Sequence, residues 1–478
     1  MTQIVTGYKR SLKIVVNKTI DGILAAGYPK YYPTALDVLN GYFTLNGINY
    51  SIPSQEQLGL MEQSEYDVLL LRFKQYVSLH EPDLSFSSDF INLPEVYAPD
   101  ECYQITTTTT EHETTTTTEH EIPTDPIDEG YWNTDSFVFE VRTTGVNEQV
   151  ALPLNTGYTY NFKVGWGDAS SDTITAWDNA AVTHTYATAG TYTIIIQGIC
   201  QSFYCNNTAP IRTKILRVIN WGEVDFRRLN FHGCTNLASI PNAPITGVAN
   251  LPNFNSTFYN CTSLKQSIPV GLFNNAVNVS TSGFLQTFRG CSGLTGAIPS
   301  GLFDNNPLVS TFGFTQTFRG CSGLTGAIPA GLFANNTAVS TDGFSLTFQG
   351  CSGLTGAIPA GLFANNPLVS SGGFSGTFYN CSGLTGAIPA GLFDNNPLVS
   401  TGGFLQTFYN CSGLTGIPAN LYTNCPNVTS YAYCHFGNTG ITSAVPELWN
   451  LTPQPTGTQC FWNCTNASNY ADIPADWK

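Results

Sequence analysis

The chain has little charge, and what it has is one-sided. Charged residues make up 11% of its 478 positions, 18 Lys and Arg against 33 Asp and Glu, for a formal net charge of −15. A nucleic-acid partner needs a basic face to meet its phosphates, and so few cations do not supply one. Long hydrophobic runs are missing too: nothing approaches the ~20 apolar residues of a membrane span, so membrane insertion is not expected. The only apolar run near the start, Ile14 to Val16, is too short for a signal-peptide core, so the chain is expected to stay where it is made until lysis. No G-x-S-x-G, H-E-x-x-H or phosphate-binding loop occurs, and the six His fall in linker, strands and loops without convergent acids. Neither an enzyme nor a cofactor is therefore expected, although a glycosidase-type carboxylate pair would leave no spacing signature.

What the chain does have is repetition. TFYNCTSL, TFRGCSGL, TFRGCSGL, TFQGCSGL and TFYNCSGL begin at Thr257, Thr287, Thr317, Thr347 and Thr377, a strict period of thirty residues. A period of this size marks a solenoid, a form that binds more often than it catalyses. Within one unit, Phe288, Cys291 and Leu294 fall one per helical-type turn, and Leu294 to Ile298 reads as a short extended stretch stopped by Pro299. Leu302 and Phe303 form a second anchor, Asn305-Asn306-Pro307 a turn, and Val309 returns inward.

The cysteines follow the same rule. F/Y-x-x-C recurs at Phe231/Cys234, Phe258/Cys261, Phe288/Cys291, Phe318/Cys321, Phe348/Cys351, Phe378/Cys381, Phe408/Cys411, Tyr431/Cys434 and Phe461/Cys464, predicting a right-handed solenoid of nine coils. One cysteine per coil makes a column of parallel side chains, so buried free thiols are expected in place of disulfides or zinc. Cys261, Cys291, Cys321, Cys351, Cys381 and Cys411 are its central members. The pairing of Cys200 with Cys205 stays open.

Three further segments precede the solenoid. Residues 1–104 read as a small α+β domain, with an Asn46-Gly47 turn between apolar runs and an amphipathic helix over Ser64 to His80. Residues 105–130 are a tether, in which TTTTTEHE at Thr106 to Glu113 recurs at Thr114 to Glu121 without an apolar face to bury. His112 and His120 are its weak candidate metal ligands. Residues 131–217 alternate as short strands, predicting a β-sandwich.

In that segment VGWGDAS at Val164 to Ser170 and THTYATAGTYTIIIQG at Thr183 to Gly198 resemble the PKD family of immunoglobulin-like domains. The resemblance implies that Trp166 packs the core, Asp168 shapes a turn, and Tyr186 and Tyr192 lie on returning strands. Residues 218–478 resemble leucine-rich repeats of the bacterial BspA type, and the LTGAIP phrase also resembles plant-type repeats. The shortened first coil, the Leu absent after Cys434 and Cys464, and the terminal Ile473-Pro474 look like capping coils.

If packing fixes the frame, function should lie where equivalent positions vary. The residue after each Phe is Tyr259, Arg289, Arg319, Gln349, Tyr379 and Tyr409, which are the residue types that anchor protein or sugar ligands. The competing reading is plain solvated surface, or pairing with another domain or subunit. The order of parts resembles fibre and appendage proteins of tailed bacteriophages, especially structural proteins of crAss-like phages. That resemblance implies a virion protein assembled in the host cytoplasm and docked on capsid, portal or tail by residues 1–104. It also implies a homo-oligomer that displays the solenoid to a host-surface glycan or protein. A bacterial surface adhesin is the alternative.

Overall fold

The computed structural model describes Tyr42–Leu45, Ile48–Ser51 and residues 134–478, and the chain divides into two units, Met1–Thr116 and Thr117–Lys478. In the first unit β1 (Tyr42–Leu45) and β2 (Ile48–Ser51) pair antiparallel, the two strands expected on either side of Asn46-Gly47. The helix expected over Ser64 to His80, and His112 and His120, lie outside the described residues.

The second unit is mainly β, and among the described residues helix is limited to 3-10 turns such as Pro210–Thr213. Its strands begin with β3 (Phe137–Thr143), β4 (Glu148–Ala151), β5 (Tyr160–Gly165), β6 (Ser171–Ile174) and β7 (Thr183–Tyr186). They continue with β8 (Gly190–Cys200), β9 (Ser202–Tyr204), β10 (Ile215–Asn220) and β11 (Arg228–Asn230). An antiparallel sheet runs in the order β10-β3-β8-β5-β6, and β4 with β7 forms a separate antiparallel pair. Period-two alternation buries Phe137, Phe139 and Val141 of β3 together with Ile194 and Ile196 of β8.

The sheet passes into the solenoid without a break in the core. β10 continues to Asn220, and β9 pairs parallel with β11, so the first coil is hydrogen-bonded to the segment that leaves the sheet. Phe203 joins the two, its ring centroid 5.1 Å from Phe137 and 5.4 Å from Phe231.

Each coil is then held to the next by an alternating backbone pattern. The N–H groups of Ser282, Phe284, Gln286, Phe288 and Gly290 donate to the carbonyls of Thr311, Gly313, Thr315, Thr317 and Arg319 in the following coil, at 2.7–2.9 Å. The N–H groups between them close turns within the coil: Leu285 to Ser282, Thr287 to Phe284, Arg289 to Gln286 and Cys291 to Phe288. Every donor from Leu285 to Cys291 is thereby satisfied. The helical-type turn expected from Phe288, Cys291 and Leu294 is therefore a run of turns and not a helix. Ser282, Gln286 and Gly290 all have positive φ, which interrupts a right-handed helix every fourth residue and frees donors for the neighbour. On the extended stretch the coils add short parallel bridges, Gly326 with Leu354 and Gly356 with Leu384, widening to β12 (Gly386–Ala387) and β13 (Leu414–Gly416).

Equal spacing superposes equal residues. Three stacked phenylalanine columns fill the interior, with Phe258–Phe288 at 5.5 Å, Phe284–Phe314 at 5.6 Å and Phe303–Phe333 at 6.1 Å. Buried Asn306, Asn336, Asn366 and Asn396 point inward from the turns, each Nδ2 donating to two carbonyls of the preceding coil. Sγ of Cys291, Cys321, Cys351, Cys381 and Cys411 donates to the carbonyl of the phenylalanine in the coil before. All described cysteines, Cys200 and Cys205 included, are buried free thiols, and burial pushes Cys351 and Cys411 up to about 12. Cys351 and Cys411 are therefore inert at neutral pH, because the thiolate is the reactive form.

Tyr431 and Cys434 are not the eighth Phe and Cys. Tyr431 stacks on Phe404 at 5.9 Å, and His435 lies between Phe408 (5.2 Å) and Phe461 (5.6 Å). The backbone agrees, because Phe408 donates to Cys434 and Asn410 to Phe436. Cys434 thus follows the threonine Thr407, Asn438 follows Cys411, and Ile441 takes the leucine position. A motif-based alignment slips here because Tyr-x-x-Cys imitates Phe-x-x-Cys four residues early. At the far end Trp477 covers the last coil, its ring occupying the space beside Gly457.

Close coil approach makes some glycines obligatory. A Cβ at Gly353 would stand 2.5 Å from the Leu324 carbonyl oxygen, whereas one at Gly361 would meet nothing within 4 Å. Gly353→Ala is expected to lower stability by about 1–3 kcal/mol, and Gly361→Ala by far less. Urea denaturation of both variants checks this, and equal midpoints would contradict the packing.

Candidate functional site

The residue after each column phenylalanine points away from the core. Gly290 donates to the Arg319 carbonyl and Gly320 to that of Gln349, both at 2.7 Å, so the side chains beside them stack coil over coil. All six residues expected from the sequence, Tyr259, Arg289, Arg319, Gln349, Tyr379 and Tyr409, belong to this one column, and each is partly exposed.

The column is longer than the sequence suggested. His232 stacks on Tyr259 at 4.3 Å, and the Arg289 guanidinium lies over the other face of the row, 4.7 Å from the Tyr259 centroid. Tyr379 stacks on Tyr409 at 4.5 Å, Tyr409 on Phe436 at 4.4 Å, and Phe436 on Trp462 at 4.4 Å. The same rule, residue after Phe, would have found His232 and Trp462. Phe436 was hidden by the four-residue slip at Tyr431.

This geometry decides what the ladder can do. Its rings stand closer than the interior phenylalanines and are nearly parallel, so each consumes its neighbour's π face. Edges and polar tips face outward. Trp462, 43% exposed, ends the row. Burial lowers the His232 pKa, and Arg289 and Arg212 lower it further. Arg319 is lowered by burial and then by Arg289, while its Nη1 donates to Gln316 Oε1 at 3.1 Å. The buried Gln349 Oε1 has no hydrogen-bond donor.

The residues singled out in the sheet have structural partners. Trp166 is fully buried and donates from Nε1 to Asp172 Oδ2 at 2.8 Å, while Tyr186 Oη donates to the Trp166 carbonyl at 2.7 Å. Asp168 accepts from the Ser170 N–H at 3.2 Å and lies 2.7 Å from His184 Nε2. Burial raises its carboxyl, but these contacts outweigh it and hold the pKa below the usual value. Tyr192 stacks on Tyr186 at 3.9 Å. Away from the ladder, the Asn-Asn-Pro turns leave an open groove of about 480 Å³ between Thr337, Asn365, Pro367, Asp394 and Pro397. Among the described residues no three His, Cys, Asp or Glu side chains converge on one point.

No family model and no curated protein matches the chain. Among solved structures it is similar to the Toll–Spatzle complex of Drosophila at 14% identity and a TM-score of 0.13, covering 47% of this chain and 41% of that one. It is also similar to the TLR13–ssRNA13 complex at 12% identity and a TM-score of 0.10, covering 51% of each chain. The chain spans about half the length of the structures it matches. At such TM-scores neither likeness fixes the fold, which rests on the coil-to-coil bonding itself.

Beneath Phe436 the ladder rests on a titratable core. His435 is fully buried, its Nε2 2.7 Å from Tyr422 Oη, and burial pushes its pKa down to about 3. Between that value and the ordinary ~6.5 the unfolded chain binds the proton and the folded chain does not, so stability falls as pH falls through this window. The expected loss from this residue is about 1.4 kcal/mol per pH unit. His435→Phe/Tyr422→Phe restores the residues of the preceding coil and should flatten that slope. Urea midpoints from neutral pH to pH ~4 measure it, and identical slopes for both proteins would exclude His435 as the source.

Proposed function

We propose that this is a non-enzymatic virion structural protein, a head or tail appendage whose solenoid engages a glycan or protein on the host cell. In this reading residues 1–104 dock on capsid, portal or tail proteins, the threonine-rich stretch from Thr106 to Pro126 spans up to ~70 Å when extended, and a PKD-like sandwich carries a solenoid of leucine-rich-repeat type. The observation that supports recognition is the ladder from His232 to Trp462. It is the row in which aromatic, guanidinium and amide groups replace one another on a frame that otherwise repeats. A rigid frame presents such groups with little entropy left to lose on binding. The docking assignment is supported by the order of the parts, since a long tether serves a protein fixed at one end and searching at the other.

Two measurements test this. A chain beginning at Tyr131 contains all described residues of the second unit and is expected to fold but fail to join particles, so normal incorporation would remove the docking role from residues 1–104. For recognition, Tyr379→Gln/Tyr409→Gln is preferable to alanine, because the column already carries Gln349 and the stack keeps a planar group. Adsorption to host cells should fall about tenfold or more if these residues are hot spots. Unchanged adsorption with an unchanged melting temperature would make the tyrosines solvated surface and move attention to the loops around Phe312 and Asp342.

A further inference from the structure

Two cations of the solenoid stand on successive coils of the ladder. From Val218 to Lys478 the sequence holds six Lys or Arg, and two of them, Arg289 and Arg319, occupy neighbouring coils of the ladder. The ion pairs among the described residues are His184–Asp168, Lys214–Glu148, Arg217–Glu140 and Arg227–Asp225, and none involves this pair. The Arg289 guanidinium lies on Tyr259 without a hydrogen-bond acceptor, and Arg319 is held by Gln316 alone. His232 stands at the sheet end of the row, and beside it Arg212 of the Pro210–Thr213 turn lies against Gly233, its buried Nε without a partner. Beyond Arg319 comes Gln349, with its own unpartnered Oε1. In a chain of net charge −15, like charges are stacked and part-buried with no carboxylate to relieve them. A structural network would have supplied one.

The stacked rings narrow the ligand further. Tyr259 is covered by His232 and Arg289, and Tyr409 by Tyr379 and Phe436, so neither can lie flat on a sugar ring, and what they offer outward is ring edges beside guanidinium N–H groups. Guanidinium forks match planar carboxylates and phosphates, and two of them a coil apart match an anionic group on a chain that runs along the solenoid.

We infer that Arg289 and Arg319, flanked by Arg212, His232 and Gln349, form a binding site for an acidic polysaccharide, taking a carboxylate or phosphate group of the sugar chain between the two guanidinium groups. This deepens the proposed surface-binding role and rests on it.

The full-length protein is titrated with oligogalacturonate, which carries carboxylates, and with phosphomannan, which carries phosphates. Methyl-esterified oligogalacturonate and plain mannan are the neutral controls. Binding to one acidic probe, weakened by salt and absent with its neutral counterpart, is expected, and the probe that binds names the anion. Arg289→Gln/Arg319→Gln should weaken it about tenfold or more, and Arg289→Lys/Arg319→Lys should retain part of it, as point charges replace forks. The column tolerates Gln at position 349, so an unchanged melting temperature is expected of the Gln variant. Equal binding by wild type and the Gln variant, or no binding of either acidic probe by wild type, overturns the inference. So does loss of cell adsorption in the Gln variant when neither polysaccharide is bound, which would assign the pair to a protein ligand. If the Arg variants adsorb normally while Tyr379→Gln/Tyr409→Gln does not, the surface-binding role stands and this site falls.

Discussion

Every second backbone N–H along one edge of each coil is given to the next coil, and the rest of the solenoid depends on that bond pattern. It can exist only because the intervening donors are closed in turns, and the turns close only because every fourth residue adopts positive φ. Glycine takes that conformation freely at Gly290, Gly320 and Gly350, but Gln286, Phe312 and Leu346 also adopt it, at about 1 kcal/mol or more each. The ladder of hydrogen bonds and the stacked cores offset this strain. Once coils are locked at a fixed separation, whatever stands at one position in the repeat lies on its equivalent above and below. The Phe, Thr, Cys and Asn columns are consequences of that locking.

The same constraint builds the surface. A position outside the core is not free to choose its neighbours: it must stack on the residue one period away. That is why a planar residue is favoured at each step of the ladder, and why His, Tyr, Arg, Gln, Phe and Trp interchange there. Stacking satisfies their faces and leaves their edges to solvent, so the ladder is a row of polar tips on an apolar spine. Where two successive members are Arg, the frame holds charges together that a flexible surface would let part.

Open ends are the liability of such an assembly, since an unpaired coil would expose the Phe columns and the backbone donors. One end is sealed by the sheet, through the β9–β11 pairing and Phe203. The other is sealed by Trp477, which packs near Phe461 and Trp449 and fills the space that Gly457 leaves. Degeneration of the motif toward the C-terminus is therefore structural: the eighth coil trades Phe for His435 and Cys for Asn438, and Asn438 Oδ1 accepts from the Cys411 N–H at 2.8 Å.

Much of this was legible in one dimension. Period, core identities, the free-thiol column and the six central ladder residues follow from a strict thirty-residue repeat, because repeating sequence under repeating geometry admits one burial pattern. The strands around Phe137, Tyr160 and Gly190 were equally plain from period-two alternation. What only the tertiary structure decided was register and conformation. Phe-x-x-C spacing is the same in a helical turn and in a run of β-turns, and the choice between them rests on whether N–H groups bond within the coil or to its neighbour, which no local pattern encodes. Tyr431-x-x-Cys434 satisfies the motif as well as His435-x-x-Asn438 fails it, yet stacking on Phe404 and Phe408 selects the second. And the closed ring faces of the ladder, which turn it from a platform for sugars into a row of edges and cations, arise from the distance between coils, a quantity set by the backbone bonds and not by any residue alone.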